Sequence, residues 1–442
     1  MAASALSPKP SDRAAISPLL LNACLALFVV NAALFMFMSV SRLWVVDAQG
    51  LGIPTDFINV WSAGWLVLQG QPATAYDWDI QKQAEIAILG QDCVGSFAWH
   101  YPPPFLFVAA FLARFPYVVA FIGWTTATLV PYLLVMRAIV GRPFGLLLAV
   151  AFPVILANTL VGQNGFLTAA LIGGTLYLLP TRPILAGICL GLLSYKPQYG
   201  VLFPLALMAG ACWMAFTSAA IVTTVIAVIS WLAFGSDSWH AFLHWMPAFS
   251  QAAFTDGLAT WFKLQSMFGL VRYLGGGEPL AWTLQWMMSG TIAVVLVMAW
   301  RSRLPYALKA AALATATLLV SPYLFLYDEM VLAIPVALLV RTGLADGFPE
   351  YELPALGCVA LLLLSFPWVS APVGLGATLI VAVLIVRRAC GARAIRSCGI
   401  TKGLEPIQRL RRLSAFRGVP RPASTDQLPP KSRMGWDVFF QK

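Results

Sequence analysis

The polar residues able to do chemistry fall in a few short stretches, separated by long apolar runs. Asp56 opens Asp56-Phe57-Ile58-Asn59-Val60-Trp61, and Phe57, Val60, Trp61, Trp65 and Leu68 recur at helical spacing. Its carboxylate suits either a helix N-cap or a proton acceptor held at a membrane surface. Asp77-Trp78-Asp79 has a DxD spacing that could hold a divalent metal, or Asp77 could cap a helix over 77–89 that stops at Gly90. Trp99-His100-Tyr101 precedes three prolines, and its rings suit an interface belt or stacking on a sugar. Gly162-Gln163-Asn164-Gly165 and Tyr195-Lys196-Pro197-Gln198 form two short connections.

Lys196 has no acidic neighbour in sequence, so it reads as a functional cation or as one that snorkels to the surface. Asp328-Glu329 lies at a span end, where acids need pairing, and Lys196 is a candidate partner. His240 and His244 share a helix face and could hold Zn²⁺, but they lack a third ligand nearby. Lys263, Gln265 and Arg272 add donors in the same region. No Walker loop, GxGxxG after a strand, HExxH or GxSxG is present. Nucleotide chemistry has no visible home, and a donor that arrives through the membrane fits better.

The elements that must position these residues are membrane helices. The 442 residues are 60% hydrophobic and only 10% charged, with a mean hydropathy of +0.80. Soluble domains carry roughly 25% charged residues. The expected fold is an all-α polytopic membrane protein, and disordered, disulfide-framework and coiled-coil classes are excluded. Apolar segments at 17–46, 117–137, 143–160, 164–180, 183–195, 199–213, 216–234, 281–300, 307–325, 328–341, 353–369 and 372–388 give about 12 transmembrane helices. The segment 101–114 is short and Pro-led and reads as a half-helix. A cytoplasmic N-terminal segment (1–16) precedes the transmembrane domain (17–388), whose outer loops are 47–116 and 235–280. A basic cytoplasmic tail (389–442) follows.

Net charge is +10, and thirteen of the 28 basic residues lie at or beyond Arg387. The surplus is a tail beside anionic lipid rather than a nucleic-acid footprint. With both termini inside, 22 of the 28 basic residues are cytoplasmic and six are external. This arrangement places every polar motif above on the outer face. The seven cysteines, Cys93 and Cys398 among them, form no CxxC.

Taken in order, the motifs resemble glycosyltransferase family 87 of the GT-C superfamily. The matching stretches are Asp56-Phe57 through Gly70 with Tyr76-Asp77, then Tyr101-Pro102-Pro103, Gly162-Gln163-x-Gly165, Tyr195-Lys196-Pro197, and Ser321-Pro322 through Tyr327-Asp328. The resemblance spans about 45–390. It implies a GT-C-type bundle and a polyprenyl-phosphate sugar donor, typically mannose. It also implies an acidic first-loop residue, here Asp56, as catalytic base.

The expected enzyme is an inverting hexosyltransferase of the plasma membrane (bacterial inner membrane), working on the outer face as a monomer among membrane lipids. It needs no cofactor or metal, and its acceptor is a lipid or glycan. Lys196, His244, Lys263 and Arg272 are the expected donor-phosphate ligands. Trp61, His100, Tyr101, Gln163, Asn164, Gln198 and Asp328 are expected to hold sugar or acceptor. The competing class is a transporter or lipid flippase, which calls for internal repeats and mid-membrane polar residues, and neither is visible.

Overall fold

The computed structural model describes residues 16–90, 97–257 and 260–397. Among these the chain is all-helical, without a strand. One compact unit, Met1–Gly391, carries every element of the site; a second, Ala392–Lys442, is described only through Ser397. The 1–16 segment (Ile16 apart), most of the basic tail, Cys93 and Cys398 lie outside the described residues.

The chain starts with α1 (Pro18–Val40), led by Pro18 at its first turn. The expected first outer loop folds as α2 (Phe57–Leu68), α3 (Trp78–Leu89) and α4 (Leu106–Leu112). Asp77 caps α3 by accepting from the amides of Asp79 and Ile80, both at 3.0 Å, and the helix stops at Gly90 as expected. Helix α4 lies close against α2: a Cβ on Gly64 would stand 2.0 Å from the Ala109 carbonyl oxygen.

Next come α5 (Tyr117–Val140), α6 (Phe144–Val150) and α7 (Ile155–Val161). Helices α6 and α7 form a pair bent by 58° at Ala151–Val154, where Pro153 interrupts the ladder. Buried Asn31 of α1 donates to the carbonyls of Val150 (3.3 Å) and Phe152 (3.4 Å) beside the bend, and the Phe152 carbonyl also accepts from the Ile155 amide at 3.1 Å.

Then follow α8 (Gly165–Leu178), α9 (Pro183–Leu192), α10 (Pro197–Gly200), α11 (Leu202–Ala209) and the 42-residue α12 (Trp213–Phe254). The last is two helical stretches that meet at a kink at Gly235, where φ +76° and ψ 169° are non-helical, so the break falls at the predicted loop start. The expected external loop 235–280 is therefore largely helical, with α13 (Met267–Tyr273) near its end. Helices α14 (Glu278–Arg301), α15 (Tyr306–Val320), α16 (Ala333–Asp346), α17 (Glu352–Ser365) and α18 (Val373–Ser397) complete the bundle. Arg388 of α18 grips the Glu352 carboxylate of α17, with Nε donating to Oε1 at 2.8 Å and one terminal nitrogen to the other oxygen. Arg388 is thus part of the bundle rather than of the tail.

Helix length among the described residues does not establish the expected 12 or so membrane-crossing helices. Five described helices are long and apolar enough to cross: α1, α5, α12, α14 and α18 through Ala392; the bent α6–α7 pair makes six. The other expected spans are short: α8, α16 and α17 have 14 residues each and α15 has 15. Hydropathy counts apolar residues without saying what covers them. Most of α8 and α16 is buried among neighbouring helices, so these segments are apolar all round because they are core.

Candidate active site

The site is assembled from the ends of helices. Asp56 stands at the N-terminal edge of α2 but makes no side-chain cap. Its Oδ2 instead accepts a hydrogen bond from Nε2 of Gln163 at 3.1 Å. Gln163 sits in the turn between α7 and α8, which begins at Gly162 with φ +67°, a left-handed conformation that suits glycine. A Cβ there would also lie 2.7 Å from Phe121 and 2.8 Å from Phe57, the residue after Asp56. The glycine thus lets the Gln163 turn approach the start of α2.

The Gln163 amide is itself oriented. The Tyr101 hydroxyl donates to Gln163 Oε1 (3.3 Å), and Asn164 Nδ2 donates to the Tyr101 hydroxyl (2.9 Å). With its oxygen accepting from Tyr101, Gln163 must present its NH₂ to Asp56. Tyr101 is held in turn beneath the Tyr76 hydroxyl, which donates to its carbonyl at 3.1 Å.

Asp56 and Gln163 open onto a cavity of about 390 Å³, which falls within the size range of small-molecule sites. Its polar lining also includes Asn59, His100, Lys263, Tyr323 and Tyr327, and Phe97, Phe249, Phe325 and Phe366 supply much of the apolar wall. Asp56 is half-buried because it faces the cavity, yet protein surrounds it. Burial raises its carboxyl above the ordinary carboxylate range. The Gln163 hydrogen bond opposes this, the Asp328 charge adds to it, and Lys196 and Lys263 pull it down.

His100 is stacked between Tyr101 (centroids 4.7 Å) and Phe249 (4.6 Å). Its Nδ1 lies 3.0 Å from the Ala98 carbonyl, which can only accept, so Nδ1 carries the hydrogen. Burial pushes its imidazole down to about 4, so near pH 7 the ring is neutral and Nε2 is an acceptor.

Behind the wall lies a buried ion pair. Lys196, in the break between the turn that ends at Tyr195 and the Pro197 that starts α10, places Nζ 2.7 Å from Asp328 Oδ1. Its ammonium also lies over the rings of Tyr199 (5.7 Å) and Tyr327 (5.5 Å). Asp328 Oδ2 accepts from the Phe325 amide at 3.1 Å. Lys196 is only 4% exposed and does not line the cavity, so it does not snorkel. Asp328 is the partner the sequence lacked nearby, and both its oxygens are engaged inside the protein.

Of the residues singled out by sequence, Asp56, His100, Gln163 and Lys263 line the cavity, with Tyr101 and Asn164 directly behind. Four others are not brought there. Trp61 donates through Nε1 to the Phe115 carbonyl (3.0 Å), tying α2 to the turn before α5. Gln198 is half-buried on α10, away from the lining. Arg272 lies over the Trp261 ring (4.4 Å) and donates to the carbonyls of Gly276 and Thr255, where it serves as loop structure. His244 is exposed on α12 beside Trp245, and His240 is exposed as well. Asp77 is engaged in capping. No group of three His, Cys, Asp or Glu converges among the described residues.

Sequence reasoning missed Asn59, Phe249 and Phe366 as wall residues. Asn59 stands one helical turn from Asp56, a spacing that could have revealed it. Phe249 and Phe366 carry no signal that separates them from other apolar residues.

A helical bundle whose cavity holds a carboxylate has the layout of a membrane enzyme's site, and comparison with known proteins specifies the class. A family-wide sequence model of glycosyltransferase family 87 matches residues 99–322, about half of the chain. The protein is thus a membrane glycosyltransferase. It belongs to glycosyltransferase family 87, a GT-C-type family. The matched region carries His100, Gln163, Lys196 and Lys263, while Asp56 and Asp328 lie outside it. No curated protein and no solved structure matches the chain.

Proposed function

We propose that the protein transfers a hexose, mannose first among the candidates, from a polyprenyl-phosphate donor to a lipid or glycan acceptor, with inversion at the anomeric carbon. Asp56 takes the acceptor hydroxyl proton, the oxygen attacks the anomeric carbon, and the bond from that carbon to the phosphate oxygen breaks. The polyprenyl phosphate leaves as an anion that needs a cation but no proton. Lys263 lines the cavity and supplies that cation. Lys196, paired with Asp328, acts from behind the wall by setting the field around Asp56. His100 accepts a hydrogen bond from a sugar hydroxyl, and Tyr323 and Tyr327 offer rings and hydroxyls to the sugar.

The observation that carries this reading is the Asp56 carboxylate. It is free of any capping bond, held by the Gln163 amide, and open to a cavity that also receives Lys263. Burial that raises its proton affinity makes it a better base. The cavity lies on the outer face of the plasma membrane, both termini are cytoplasmic, and the short buried helices complete about 12 crossing or part-crossing segments. The basic-residue asymmetry supports this orientation. Membranes containing the protein, incubated with radiolabelled polyprenyl-phosphate sugars, should pass label to a lipid or glycan product. Label that stays on the donor with every hexose tried rejects the assignment.

A further inference from the structure

We infer that Gln265 is a positioning residue, whose buried amide ties the loop carrying Lys263 to the start of α18 and so fixes the ammonium at the cavity wall. The inference rests on the assignment of Lys263 to the donor phosphate.

Lys263 ends a single 3-10 turn, Trp261–Lys263, too short to hold its own geometry. Two residues on, Gln265 is only 1% exposed, and its side-chain amide makes three hydrogen bonds. Nε2 donates to the carbonyls of Phe262 (2.8 Å) and Lys263 (3.1 Å), closing the turn on itself. Oε1 accepts from the Gly374 amide at 2.7 Å. That N–H belongs to the first turn of α18, where helix amides have no intrahelical partner. A side chain from another element therefore satisfies a helix end, and that helix becomes an anchor for the loop.

The glycine is required by space. A Cβ on Gly374 would stand 3.0 Å from Gln265 Oε1 and 2.7 Å from Glu329 Oε1. Glu329, next to Asp328, accepts from the Thr378 hydroxyl of the same helix at 2.9 Å. The start of α18 thus meets both the Lys263 loop and the segment that bears the ion pair. On the other side, the backbone N–H of Gln265 donates to the Leu324 carbonyl (2.7 Å), and the Ser266 hydroxyl donates to the Pro322 carbonyl (2.7 Å). These bonds flank Tyr323, which lines the same cavity. Lys263 and Tyr323 are consequently set by one hydrogen-bonded frame. Gln265 bonds to 321–325 through its backbone, and its side chain alone links the Lys263 turn to α18.

The test is binding of undecaprenyl phosphate to the purified full-length chain in lipid nanodiscs. Lys263→Ala should weaken binding roughly 10- to 100-fold, the scale of one charge-assisted contact. Gln265→Ala should weaken it by about 10-fold, since displacement of a ligand-binding group is enough to lose much of its contact. The double variant should bind no more weakly than Lys263→Ala alone, because Gln265 acts through Lys263. A purely structural role would lower the folded fraction and leave the Kd of the folded chain alone. Wild-type affinity in folded Gln265→Ala, or additive losses in the double variant, overturns the inference and leaves Lys263 as assigned. Wild-type affinity in Lys263→Ala overturns the assignment itself. If Gln265→Ala does not accumulate, Gln265→Glu serves. It keeps an oxygen for the Gly374 amide but turns an acceptor on the carbonyls of Phe262 and Lys263, so weakened binding is again expected and unchanged binding overturns the inference.

Discussion

Asp56 and Gln163, 107 residues apart, meet at 3.1 Å, with the Gln163 Nε2 donating to a carboxylate oxygen that caps nothing. A carboxylate at a helix start usually bonds the first free amides of that helix. Here the bond to another element turns the group away from its own helix and toward the cavity.

Asp56→Asn keeps size and much of the hydrogen-bonding capacity but removes the base. We expect the variant to insert and purify like the parent and to lose about 10²-fold or more in turnover, the scale of general-base removal. Parent-like turnover in the radiolabel assay would eliminate Asp56 as the base.

The pH profile should show the same group. Burial holds the Asp56 carboxyl above its ordinary value of 3.8. The active form is the ionised one, so activity is present above the raised midpoint and falls as pH drops through it. Gln163→Leu removes a bond that lowers this value, so the acid limb should move to higher pH. A limb that stays in place when Gln163 is replaced would separate it from Asp56. His100, neutral down to about 4, should contribute no limb near pH 6.5.

Lys196 and Asp328 should be coupled in stability. Removing one partner of a buried pair leaves the other charge uncompensated, which costs about 3–5 kcal/mol. Lys196→Ala and Asp328→Ala should each lower the melting temperature in detergent, and the double replacement should lower it by less than the sum. Additive shifts would show that the 2.7 Å contact carries no coupling.

Topology is open to direct chemistry. Gln83 is exposed on α3, in the loop expected to lie outside. A Gln83→Cys chain should react with a membrane-impermeant maleimide in intact cells, above the background of the unsubstituted protein. Reaction only after permeabilisation would reverse the orientation.

What the sequence determined by itself was local. Pro18 and Pro183 start helices, Asp77 caps α3, Gly90 stops it, and the Lys196-Pro197 break falls where the proline demands it. Each of these signals acts within about one helical turn, so no knowledge of neighbours is needed. The ordered motifs likewise carried the family, because they are strings of residues. Tertiary structure alone decided which string faces which. Asp56 meets Gln163, and Lys196 is buried against Asp328, 132 residues on. Lys263 reaches the cavity, while Arg272 and His244, the other expected phosphate ligands from the same region, do not. Composition also leaves the number of spans open, for a related reason. In a chain this uniformly apolar, a helix such as α8 that is enclosed by other helices and a helix such as α1 that is largely exposed have the same composition, and only packing distinguishes them.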